Sequence, residues 1–171
     1  MRLKEEVMEL LRHNDSDGLE RMVVETPAAV RFLQGRLWDE DPEIRCLAAV
    51  ALGAAAEAHP NLGRELLRRA LWALNDESAT NGGPVLPAIG EIGRRAPDLA
   101  APFVGPMTAY LWDEGLRPGI LAALRRIAET APELIEDVRD RLLAIEDLND
   151  PGEQADLESL LAVNRESVDG E

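Results

Sequence analysis

Residues 51–60 read ALGAAAEAHP, and the chain returns to that pattern twice, as AIGEIGRRAP at 88–97 and ALRRIAETAP at 123–132. The three runs superpose without a gap. Matched positions keep their character: Ala48, Val85 and Ile120; Leu52, Ile89 and Leu124; Ala55, Ile92 and Ile127. The third copy arrives two residues early. The tetrapeptides LWDE (37–40), LNDE (74–77) and LWDE (111–114) extend the register, because Leu37, Leu74, Leu111 and Leu148 fall at a period of 37. Self-similarity at this period is the signature of a repeat architecture.

Each unit reads as two helices. Ile44, Leu47, Ala48, Ala51, Leu52 and Ala55 recur at helical spacing, and Leu62, Leu66, Leu67, Ala70, Leu71 and Leu74 do so after them. Pro60, Pro97 and Pro132 suit the first position of second helices, where a missing N–H costs nothing. Asp41-Pro42 and Asp150-Pro151 supply a cap and a first-turn proline for first helices. DGLE (17–20) and DPGE (150–153) have capping-box spacing. A hairpin of this length cannot bury both faces alone, so successive hairpins stack. The expected fold is all-α: a right-handed α-α superhelix of about four hairpins with a closing helix. Residues 1–164 form one domain with units at about 1–38, 39–75, 76–112 and 113–149 and a closing helix at 151–164. Residues 165–171 are expected to be a flexible tail.

The stretch DPEIRCLAAVALG (41–53) resembles the HEAT-like repeat, above all the short variety of phycobilisome-lyase-type proteins, in Asp41, Arg45, Ala48, Ala49, Ala51, Leu52 and Gly53. The resemblance implies an armadillo-like superhelix that binds other proteins. It also brings a rival: an enzyme or enzyme subunit, of bilin-lyase type or, less in keeping with the charge, of nucleic-acid glycosylase type.

Composition narrows the partners. The net charge of −15 repels nucleic acid and anionic membranes on average. The start, MRLKEEVMELL, has acids where a signal peptide is apolar, and no apolar run reaches membrane-spanning length. A cytoplasmic protein, monomeric or weakly self-associating, is expected. Cys46 is the only cysteine, which excludes an internal disulfide and a multi-cysteine zinc site, and it is read as a small buried hydrophobe. His13 and His59 are the only histidines, and His59 before Pro60 is read as a cap. No phosphate loop, nucleophile elbow or zinc-helix motif is present, so neither catalysis, cofactor nor metal is expected.

Departures between the units nominate a binding surface. Arg45 has a counterpart in Arg117, but the middle unit has Gly82 there, within the polar run NDESATNGGP (75–84). Asn75, Glu77, Ser78, Asn81 and Gly82 are candidates, with Asn81, Gly82 and Gly83 able to take positive φ and offer N–H groups. A tolerated surface turn is the alternative. Pro102 and Pro106 are expected to kink or restart the helix after Pro97. Arg31, Arg64 and Arg68 would form a basic strip on second helices, or simply solvated faces. Trp38, Trp72 and Trp112 are contact residues if exposed beside arginine, or packing between hairpins. The expected function is a non-catalytic protein-binding scaffold.

Overall fold

The computed structural model describes residues 2–75 and 82–163. Among the described residues it is all-helical. α1 (Leu3–Arg12), α2 (Ser16–Glu25), α3 (Val30–Gln34), α4 (Pro42–Ala58) and α5 (Pro60–Leu74) are followed by α6 (Leu86–Arg95), α7 (Pro97–Thr108) and α8 (Arg117–Ala128). Two short helices, α9 (Glu133–Glu136) and α10 (Arg139–Leu143), lead to α11 (Pro151–Ala162). Turns of 3₁₀ type cover Pro27–Ala29, Gly35–Trp38 and Gly83–Val85.

The helices alternate between two rows. In one, α2 packs on α4, α4 on α6, α6 on α8 and α8 on α11; in the other, α5 packs on α7. Within hairpins α4 lies on α5 and α6 on α7. One continuous apolar core runs from Val7 to Leu160. The first row is closely apposed because Gly53 and Gly90 share a repeat position. A Cβ on Gly53 would stand 3.1 Å from the Glu91 carbonyl carbon, and one on Gly90 would stand 3.1 Å from Ala123 Cα.

The sequence period reappears in polar contacts between units. Arg117 Nε donates to Glu153 Oε1 at 3.0 Å in a buried pair, Arg126 Nε to Glu91 Oε1 at 2.8 Å, and Thr130 Oγ1 to the Arg94 carbonyl at 2.6 Å. Arg95 reaches Glu57 at 3.3 Å and Glu20 at 2.8 Å, so one guanidinium ties α6 to both α4 and α2. Burial works against the charge on Arg126, but its hydrogen bonds to Glu91 and Glu129 outweigh it and hold the guanidinium pKa above the ordinary value.

Several local expectations hold and others shift. Pro60 and Pro97 open α5 and α7, and Asp41 and Asp150 cap α4 and α11 through the N–H groups of Glu43 and Glu153, each at 2.9 Å. The cap of α2 is Asp15, through Gly18 N–H, so DGLE starts inside the helix. The Glu153 side chain leaves the capping box to meet Arg117. α7 continues through Pro102 and Pro106 without a restart. Both prolines lie exposed one turn apart on the same side of α7. The break falls instead in the fourth unit, where Asp137 and Val138 separate α9 from α10.

Candidate binding surface on the second helices

The apolar periodicity of α5 buries Gly63, Leu66, Leu67, Ala70 and Leu74, which fixes what faces outward. Arg64, Arg68 and Trp72 follow one another at four-residue steps on the exposed side, with Asn75 just beyond. Arg64 Nη1 donates to Asn61 Oδ1 at 2.9 Å. Glu65 pairs with Arg69 at 2.9 Å and more distantly with Arg68 at 3.9 Å. Three arginines (64, 68, 69) against one glutamate leave α5 with a charge of +2 on a chain of −15. Exposed pairs of this kind are worth under about 1 kcal/mol, so an incoming anion competes with them easily.

All three tryptophans are on the surface. Trp72 is 76% exposed, Trp112 75% and Trp38 45%. Packing between hairpins is therefore not the role of Trp72 or Trp112, whereas Trp38 keeps one side against residues of α4, α5 and α6. Leu37, Leu74 and Leu111 occupy the inward position of each unit, which turns the neighbouring tryptophans outward. Tyr110 Oη donates to Asn75 Oδ1 at 2.9 Å and ties the end of α5 to the exit of α7. Trp72 lies three residues before Asn75, and Trp112 two after Tyr110. Between them α7 exposes Ala101, Pro102 and Pro106, with Ala109 just past its end, a low, uncharged strip beside the basic one.

The remaining candidates fall differently. Arg31 is exposed on α3, its guanidinium 4.5 Å from the Phe32 ring centroid. Gly82 is buried in right-handed helical conformation at φ −79°, and no described glycine has positive φ. Its role is close approach, since a Cβ there would stand 3.1 Å from Leu74 Cα. Asn75 is described, but Glu77, Ser78 and Asn81 lie outside the described residues.

Cys46 is exposed, not buried, because Leu47 and Ala48 take the core side of α4. His59 is the N-cap residue of α5 by position, its carbonyl accepting the Gly63 N–H at 3.0 Å, but its side chain makes no cap bond and its Nε2 lies 2.8 Å from the Val24 carbonyl oxygen. Asp39 accepts the Asp41 backbone N–H at 3.1 Å, which holds its carboxyl below the usual range, and Arg36 adds to the effect. Among the described residues no group of three or more His, Cys, Asp or Glu is placed to hold a metal, and no helix is long and apolar enough to cross a membrane.

Sequence reasoning missed a cavity of about 70 Å³ beneath Trp38. Ala70, Ala73, Val85 and Ala88 are among its walls. The signal was available in the repeats. Where α5 has Ala70, the other units place Leu33, Met107 and Leu142, each fully buried. Where it has Ala73, they place Arg36, Tyr110 and Ile145. The second unit thus lacks two large side chains at once. No family model, curated protein or solved structure matches this chain.

Proposed function

We propose that the chain is a HEAT-like, right-handed α-α superhelix that acts as a non-catalytic scaffold, gripping an acidic segment of a protein partner on its second helices. The observation that carries this reading is the exposed row Arg64–Arg68–Trp72 on α5, continued by Tyr110 and Trp112. Tryptophan beside arginine on an open surface is the composition of interaction hot spots. Local positive charge on a strongly acidic chain steers an anionic segment to this row and away from the rest of the surface. The alternating helix rows and the contacts recurring at one repeat length support the superhelix. The closing helix turns Gln154, Glu158 and Ser159 outward, a polar cap that opposes end-to-end stacking.

The test is recovery of partners from native cell extract at low salt. Arg64→Glu with Arg68→Glu, and separately Trp72→Ala with Trp112→Ala, should weaken recovery while the melting curve stays close to that of the parent. Rising salt should weaken the parent protein toward the level of the charge-reversed variant. Equal recovery by parent and both double variants would dismiss the row as ordinary surface.

A further inference from the structure

We infer that the cavity beneath Trp38 is a socket for one aliphatic side chain of the partner segment, so the partner is an acidic stretch carrying a single leucine- or methionine-sized anchor. The inference rests on the reading of the second helices as a protein-binding face and adds a specificity element to it.

The cavity is a vacancy of one repeat. Three units fill the position of Ala70 with Leu33, Met107 or Leu142, and three put a large side chain at the position of Ala73. The second unit removes both, and the frame does not collapse to compensate. About 70 Å³ stays open among aliphatic walls. Such a site suits the extra carbons of an aliphatic side chain and offers little to a polar one. Its mouth is set by the lining residues that retain exposure, Trp38, Arg69, Ala73 and Gln34. Trp38 supplies a flat apolar edge, and Arg69 places a cation at the rim, one residue along α5 from Arg68. An anchor entering here sets its flanking residues among Arg64, Arg68 and Arg69. Charge complementarity then selects acids on either side of the anchor.

The experiment uses the full chain and four fluorescein-labelled decapeptides. Each is Asp/Glu throughout except one central position, occupied by Leu, Met, Ala or Lys. Binding is read by anisotropy at low salt. The Leu and Met peptides should bind the parent protein about tenfold or more tighter than the Ala peptide, since a buried methylene discriminates on that scale. Ala70→Leu, which restores the side chain of the other units, should erase that preference and leave affinity for the Ala peptide unchanged. Ala73→Met closes the mouth from the exposed side and should do the same, which covers the case of an unstable Ala70→Leu. No preference for Leu over Ala, or a preference surviving both variants, overturns the socket. If Arg64→Glu with Arg68→Glu still weakens every peptide, the basic row outlives the socket. If no peptide binds the parent protein, both fall.

Discussion

Replacing Ala70 by leucine should stabilise the free protein, although most core substitutions destabilise. The cavity it enters measures about 70 Å³. At about 24 cal/mol per Å³ for an enclosed void, filling it recovers at most roughly 1.7 kcal/mol, and less because its mouth opens to solvent. Any overpacking subtracts from this, so the figure is an upper bound. For a chain of this size, 1 kcal/mol moves Tm by about 2–4 °C, which puts the largest expected gain at roughly 3–7 °C. The same position in the other units predicts the opposite sign. Leu33, Met107 and Leu142 are fully buried, and truncating any of them to alanine should cost about 2–5 kcal/mol. Thermal melts followed by far-UV circular dichroism, with urea titrations for the free energies, measure both. If Ala70→Leu lowers Tm as far as Leu33→Ala does, the second unit has no vacancy and the repeat comparison fails.

The buried pair between Arg117 and Glu153 should cost about 3–5 kcal/mol when only one partner is replaced, by Arg117→Met or Glu153→Gln, because the other charge is then stranded. Arg117→Met with Glu153→Leu should recover most of that loss, and a double-mutant cycle in urea measures the coupling. Gly82→Ala should destabilise by about 1–3 kcal/mol through its tight contact with the α5 backbone. Gly35→Ala, with nothing within 4 Å of its Cβ, should be neutral or slightly stabilising. Asp39 has its folded pKa depressed, so its contribution is present above the ordinary value of 3.8 and lost as pH falls below it. The stability gap between parent and Asp39→Asn should therefore close on acidification; a gap widening toward low pH would contradict the assignment.

The helical hairpins were legible because their period is carried by apolar residues, and burying an amphipathic helix face constrains every third or fourth residue. Leu52, Ile89 and Leu124 announced themselves in the letters and sit where the pattern put them. Exposure was less legible. A tryptophan next to Leu37 or Leu111 packs or protrudes according to which side of the closing turn it occupies, and spacing alone leaves that open. Cys46 went astray for a related reason: at the start of an alanine-rich helix nearly every position passes for apolar. Pro102 and Pro106 were read as a kink or restart because each removes a hydrogen bond. Their common solvent-facing side depends on where α5 packs. The vacancy was written in the sequence as Ala70 and Ala73, but alanine in a helix attracts no notice until its counterparts are seen to fill space.

The measurement that bears most directly on the central claim is site-specific photo-crosslinking to the partner recovered from extract. Cys46, exposed on α4 in the first row, serves as a native attachment point for a benzophenone maleimide. Ala109→Cys in a Cys46→Ser background puts the same group on the exposed strip just past the end of α7, at the repeat position of Trp72. The account predicts a crosslinked adduct from residue 109 that charge reversal of Arg64 and Arg68 diminishes, and none from residue 46. An adduct from residue 46, with none from residue 109, would place the partner on the first helices and contradict it.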